Sequence, residues 1–193
     1  GTKTRTCSVC KHKETVSVPG TKLPKSAKSF KDIKPGDWFY NFVDYAVIHG
    51  LFSGTSDTKF SPNTEMTRAQ FVQVLANLSG VKGDNNVNSG FTDVPKGQWY
   101  VGAVKWAVEN SVASGVGSGR FDPNGKVTRE QMCVMLVKYA NFKGITLAEN
   151  EQKTPFADDT KIDVWAKEAV YKCQMADLVN GKGAGKFDPK GNA

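Results

Sequence analysis

Phe121-Asp122-Pro123-Asn124-Gly125-Lys126-Val127-Thr128-Arg129-Glu130-Gln131 reads as a loop that runs into a helix start. Thr128 is an N-cap residue type, and Gln131 three positions on completes a capping box. Val127 before the cap and Met132 at the fourth helical position are the pair expected of a hydrophobic staple. Arg129 then falls in the first helical turn, where backbone N–H groups lack intrahelical partners and the helix dipole is positive. An arginine there works against the dipole unless something negative lies close by. A helix N-terminus joined to a guanidinium is an anion receptor. The same device stands earlier as Phe60-Ser61-Pro62-Asn63-Thr64-Glu65-Met66-Thr67-Arg68-Ala69-Gln70, with Met66 and Phe71 as the staple. Its opening appears a third time as Phe187-Asp188-Pro189-Lys190-Gly191-Asn192-Ala193, which reaches residue 193 before a Thr-Arg pair.

Outward from these stretches the chain repeats itself, which outranks every other signal. Three units open with Phe30-Lys31-Asp32-Ile33, Phe91-Thr92-Asp93-Val94 and Phe156-Ala157-Asp158-Asp159. Trp38, Trp99 and Trp165 follow, and sixteen residues after each comes Gly54, Gly115 or Gly181. Phe60, Phe121 and Phe187 and then Pro62, Pro123 and Pro189 keep the same spacing without a gap. Each unit predicts helix, loop, helix. The first helix starts near Asp37 or Trp38, presents Trp38, Phe42, Val43, Ala46 and Val47 as its buried face, and ends at about His49, with Gly50 as a left-handed cap. The next unit does the same with Trp99, Ala103, Val104 and Ala107. The second helices bury Phe71, Val74, Leu75 and Leu78, then Met132, Met135, Leu136 and Tyr139. Each unit's own core is sparse, so neighbouring units must share one. Residues 79–90 and 141–155 read as exposed connections.

The chain therefore divides into a basic tail and linker at 1–29, complete repeats at 30–90 and 91–155, and an incomplete one at 156–193. The net charge of +7 belongs mostly to the tail, where Lys3, Arg5, Lys11, Lys13, Lys22, Lys25 and Lys28 face Glu14 alone. The repeats are nearly neutral, which argues against nucleic-acid binding. No apolar run has the length of a membrane span. The chain begins at Gly1 with no signal peptide, so missing targeting signals say little about location. Val16 and Val18 alternate with polar residues and hint at a short strand before Pro19-Gly20.

Sites for metals and catalysis fare poorly. Cys7, Cys10 and His12 offer at most three zinc ligands where a structural site wants four. Cys133 and Cys173 sit in apolar helical patterns and read as small buried hydrophobes, although a disulfide between them stays open. The Asp122–Thr128 loop fails as a calcium loop, because glycine falls at the fourth position and Cys133 stands where a bidentate Glu is needed. His12 and His49 are the two histidines, and neither recurs as a base for a nucleophile. Asp32, Asp93 and Asp158 come one per unit, which gives no glycosidase dyad. No catalytic group, metal or cofactor is expected. The recurring set is aspartate, tryptophan, glycine and arginine. Phe, Trp and Pro would pack the core, the glycine would turn the loop, and Asp would cap the first helix. Arg68 and Arg129 would either pair with Asp32 or Asp93 or bind a ligand.

The F-x-D openings, Thr67-Arg68-Ala69-Gln70, Thr128-Arg129-Glu130-Gln131 and Gly115-Val116-Gly117-Ser118-Gly119-Arg120-Phe121-Asp122-Pro123 resemble the surface-layer homology (SLH) domain, in three copies over residues 30–193. The resemblance implies a mainly α fold of three helix-loop-helix repeats in a pseudo-threefold spindle around a shared central core. It also implies a secreted, non-catalytic anchor at the cell surface that binds pyruvylated secondary cell-wall polysaccharide, with no membrane and no nucleic-acid partner. Its expected carbohydrate-binding residues are Arg68, Arg129, Asp32, Asp93, Asp158, Trp38, Trp99, Trp165, Gly54, Gly115 and Gly181. Gln70 and Gln131 replace the family's usual Glu and should keep the cap. Glu130 puts a negative charge beside Arg129, so the Arg68 groove is expected to be the stronger. The competing class is a protein–protein module for surface-layer self-assembly, with the incomplete third repeat seeking a partner chain. An enzyme domain would need its chemistry outside this segment.

Overall fold

The computed structural model describes residues 2–6, 13–17, 25–149 and 154–193. It is mainly helical. Strands β1 (Thr2–Thr6) and β2 (Lys13–Ser17) pair antiparallel in the tail. They are followed by α1 (Tyr40–Ile48), α2 (Arg68–Leu78), α3 (Val101–Glu109), α4 (Arg129–Phe142) and α5 (Val164–Met175). Cys7, Cys10, His12 and Val18 lie outside the described residues. The chain forms two compact units, residues 1–62 and residues 63–193.

In the first unit, α1 buries Val43 and Val47 against Ala27, Phe30 and Ile33, with Phe39, Tyr40, Phe52 and Phe60 packed around them. Gly50 takes the left-handed conformation expected after the helix, at φ 69°. The helix begins at Tyr40, after Trp38 rather than at it. Trp38 is accordingly not a core residue: it is 84% exposed, and Phe42 is exposed too.

In the second unit both capped helix starts are present. The Gln70 N–H donates to Thr67 Oγ1 at 3.2 Å and the Thr67 N–H to Gln70 Oε1 at 2.8 Å. Thr128 and Gln131 repeat the exchange at 3.3 Å in each direction. The residues just before these caps close a ring. The Val127 N–H donates to the Met66 carbonyl (3.0 Å), the Ala193 N–H to that of Val127 (3.0 Å), and the Met66 N–H to that of Ala193 (3.1 Å). Equivalent positions of the three repeats thus satisfy one another around a local threefold.

The cores are shared between repeats, as their sparseness requires. The first helix of a repeat packs on the second helix of the repeat before it: α3 on α2, and α5 on α4. The α2–α3 core holds Ala69, Val72, Leu75, Ala76, Ala103, Val104 and Ala107, closed by the fully buried Phe121 and Val127. The α2 face is therefore rotated from the expected one, since Leu78 is exposed and Val72 and Ala76 are buried. The α4–α5 core centres on Cys133, Ala166, Val170, Cys173 and Phe187. Helix α4 serves both cores, with Met132, Met135, Leu136 and Tyr139 toward α2–α3 and Cys133, Val134 and Val137 toward α5. Residues 79–90 are not simply an exposed connection. The Gly83 backbone lies on Gly102 of α3 so closely that a Cβ on Gly83 would sit 2.7 Å from the Gly102 carbonyl carbon.

The recurring aspartates clamp the loop that follows rather than capping the first helix. Asp93 accepts the N–H groups of Phe121 and Asp122, both at 2.8 Å. Asp158 accepts those of Phe187 (2.7 Å) and Asp188 (2.9 Å), and in the first unit Asp32 accepts those of Phe60 and Ser61. The clamp holds Ser61, Asp122 and Asp188 at positive φ, between 58° and 63°. Burial raises the Asp93 and Asp158 pKa values, but these N–H bonds and nearby Arg120 and Lys161 outweigh it, so both carboxyls lie below their usual value. A carboxylate whose folded pKa is lowered stabilises the fold above its unfolded pKa, and that contribution is lost as pH falls through the folded value. Thermal melts should therefore show a steep loss of stability below pH about 4, where an ordinary Asp titrates. Asp158→Asn should flatten that acid limb, and an acid limb of unchanged slope would contradict the clamp's role.

Candidate functional site

Arg68 opens α2 and crosses into the next repeat. Its Nε–H donates to the Phe121 carbonyl (2.9 Å), Nη2 to the Ser114 carbonyl (2.9 Å) and Nη1 to Gln131 Oε1 (3.4 Å). The guanidinium lies over the Phe121 ring, 4.8 Å from its centroid. Arg129 does the same one repeat on, donating to the Phe187 and Asn180 carbonyls at 2.8 and 2.6 Å, with its guanidinium 4.8 Å from the Phe187 centroid.

The helix N-termini themselves are not open to an anion. The Arg68 N–H donates to the Gly125 carbonyl (2.9 Å) and the Ala69 N–H to that of Pro123 (3.0 Å). The Arg129 and Glu130 N–H groups go likewise to Gly191 (2.9 Å) and Pro189 (3.1 Å). With the capping boxes, these bonds use the donors that a free helix end would offer. The guanidinium is what remains to receive a ligand. Arg68 is 4% exposed and all three of its bonds go to neutral oxygens. Among the described residues it forms no ion pair, and Asp93 pairs instead with Arg120, at 3.5 Å. Burial lowers the Arg68 pKa, and Asp122 and Asp93 oppose the shift from a distance. A guanidinium does not deprotonate in proteins, so a cation sits here without a partner of opposite charge in contact.

It sits in a cleft of about 430 Å³ lined by Arg68, Val112, Ala113, Ser114, Gly115, Val116, Gln131, Val134, Met135, Lys138 and Trp165. Three expected site residues from three different repeats, Arg68, Gly115 and Trp165, thus meet in one place. Trp165 is 56% exposed, and its Nε1–H is held by Asp163 Oδ2 at 3.0 Å, which fixes the indole at the rim. Gly115 does more than turn the loop. A Cβ there would lie 2.7 Å from both the Arg120 carbonyl oxygen and a ring carbon of Phe91. Gly54 and Gly181 are equally confined, by Phe30 and Lys59 and by Lys186.

The other expected residues are distributed differently. Arg129 meets the loop that carries Gly181 and is clamped by Asp158. Trp99 is 52% exposed and packs edge-on against Tyr100, away from the cleft lining. Asp32, Trp38 and Gly54 belong to the first unit. The aspartates reach the cleft only through the loops they hold. Glu130 does not face Arg129's guanidinium. Its buried carboxylate accepts from Lys190 Nζ and from the Asp163 N–H (3.1 Å), and Lys190 also reaches Asp163 at 2.5 Å. Glu130 thus ties α4 to the third repeat.

Sequence reasoning missed Ser114, Gln131, Met135 and Lys138. Lys138 Nζ donates to Ser114 Oγ at 3.3 Å, which brings a second cation to the cleft. Gln131, Met135 and Lys138 are four and three residues apart on α4, so helical spacing from the capping residue would have found them.

A family model described as the S-layer homology domain matches residues 29–72, 90–133 and 155–193. An amylopullulanase from Thermoanaerobacterium thermosulfurigenes is 32% identical over 86% of this chain and 9% of that protein. An exoglucanase XynX from Acetivibrio thermocellus is 30% identical over 88% of this chain and 15% of that protein. An S-layer protein from Bacillus thuringiensis subsp. finitimus is 30% identical over 90% of this chain and 21% of that protein. The chain thus spans between about a tenth and a fifth of the length of these relatives, and most of each named enzyme lies outside the match. Three matches at the three repeats, on a helical framework built from those repeats, fix the identity. The chain belongs to the S-layer homology domain family, whose non-catalytic modules anchor secreted proteins at the bacterial cell wall.

Proposed function

We propose that this segment anchors its parent protein by binding pyruvylated secondary cell-wall polysaccharide, and that the Arg68 cleft is the principal receptor. The observation that carries this reading is the buried Arg68 guanidinium, which has no contacting carboxylate among the described residues and lies in the cleft with Trp165. A pyruvate ketal presents one carboxylate and one methyl group on a pyranose. The carboxylate suits the remaining N–H groups of Arg68, with Lys138 adding charge. The methyl group suits Val112, Ala113, Val116 and Met135, and the indole of Trp165 suits the sugar face. Arg129 offers a second, more exposed guanidinium of the same construction.

The test is co-sedimentation with purified wall polysaccharide before and after removal of its pyruvyl groups. The native polymer is expected to retain the protein and the depyruvylated polymer to lose it. Equal retention would overturn the reading.

A second reading, association between copies of the chain, rests on α1 and the turn just before it. Trp38, Phe42, Tyr45 and Ile48 form an exposed apolar stripe there, whereas Ala103 and Ala169, the equivalents of Phe42, are buried under α2 and α4. This reading predicts concentration-dependent association that ignores the polymer.

A further inference from the structure

Cys133 and Cys173 take no part in the cleft, yet their placement is specific. Cys133 lies on α4 and Cys173 on α5, both fully buried in the core that joins the second and third repeats. Both are thiols, and Cys173 Sγ approaches the Cys133 carbonyl oxygen at 3.6 Å. The neighbouring Cys173 thiol, together with burial, pushes the Cys133 pKa up, while Cys133 pulls that of Cys173 down. The repeat shows that this spot does not require sulfur. The equivalents of Cys133 and Cys173 are Val72 and Ala107, both fully buried where α3 packs on α2. One packing point is thus filled by an alkyl pair in one interface and by two facing thiols in the other. No third metal-ligating side chain joins them among the described residues. Proteins of this family act at the cell surface, where disulfides form and persist.

We propose that Cys133 and Cys173 are a cross-linking pair, which a small-molecule disulfide oxidises to a disulfide across the α4–α5 contact after export. A thiolate of one cysteine attacks the small disulfide, forms a mixed disulfide and releases one small thiol. The second cysteine, having given up its proton, attacks the mixed disulfide at the protein sulfur. The protein S–S bond forms, and a second small thiol leaves and takes up the proton. Two electrons pass from the protein thiols to the small disulfide, whose single S–S bond becomes two thiols. Because both thiols are buried, the exchange proceeds through openings of α5 from α4, and it is slow in the cold. The bond spans 40 residues and fastens the third repeat to the second. A cross-link of that length stabilises chiefly by restricting the unfolded chain, with an expected rise in melting temperature of roughly 10 °C.

The test uses the full chain, purified reduced and incubated with oxidised glutathione a few degrees below its melting temperature. The protein is then denatured, alkylated and digested without reduction. The expected result is one peptide pair joined through Cys133 and Cys173, two hydrogens lighter than its reduced parts, with a raised melting temperature that dithiothreitol reverses. Peptide mapping separates this bond from any involving Cys7 or Cys10. A double variant, Cys133→Val with Cys173→Ala, copies the alkyl pair of the other interface and should melt at one temperature with or without glutathione. Recovery of both cysteines alkylated, or carrying only glutathione, overturns the proposal. So does an equal glutathione-dependent shift in the double variant.

Discussion

Arg68→Ala is expected to destabilise the second unit by about 4 kcal/mol, even though Arg68 is also the proposed ligand-binding residue. Truncation strips the Phe121 and Ser114 carbonyls of their donors and removes the cation stacked on Phe121. The buried Phe121 carbonyl left without a partner costs about 1–3 kcal/mol, and loss of the part-buried Ser114 bond and of the ring contact adds about 1 each. A small part returns because a buried charge disappears. For a chain of this size the loss corresponds to a fall in melting temperature of roughly 10 °C, read by circular dichroism. Arg68→Lys keeps the charge but not the planar fork that serves two carbonyls, so it should fall between wild type and alanine. Arg129→Ala should lose less, because Arg129 is half-buried and bonds two carbonyls rather than two carbonyls and an amide. A melting temperature for Arg68→Ala within a degree of wild type would mean that the cross-repeat bonds contribute nothing. Loss of binding in this variant therefore cannot by itself identify Arg68 as the receptor.

That double role also marks the limit of the sequence. The capping boxes at Thr67 and Thr128 were legible because their partners lie three residues away. The repeats were legible because their spacing is invariant from tryptophan to proline. The partners of the arginines were not, since Arg68 bonds residues 46, 53 and 63 positions downstream, in the next repeat. The aspartates were read as helix caps because a helix follows them closely, yet they hold loops 28 to 30 residues on. Trp38 and Trp99 were assigned to a buried helical face by a periodicity that does not reach them. Trp38 and Trp99 precede α1 and α3, and Trp165 is the second residue of α5, so the exposed position is set by the turn before the helix. Of the three, Trp165 lines the Arg68 cleft, where its exposed indole suits the sugar contact proposed for it. Glu130 was misjudged for a related reason. Adjacent helical residues face different ways, and Glu130 turns away from Arg129 to Lys190 and Asp163.

Trp165 separates binding from folding in a way that Arg68 cannot. It is more than half exposed, and its side-chain bond to Asp163 is itself exposed. Trp165→Ala should therefore leave stability within about 0.5 kcal/mol of wild type. An indole closing over a bound sugar is an anchor of the kind whose truncation costs 2 kcal/mol or more, so affinity should fall about 30-fold. The decisive measurement is a titration of the pyruvylated wall polymer into wild type and Trp165→Ala side by side, with melting temperatures taken on the same samples. The expected result is tight binding by wild type and binding about 30-fold weaker by the variant, at an unchanged melting temperature. Equal affinity of the two proteins for the polymer would contradict the assignment of the Arg68–Trp165 cleft as the receptor.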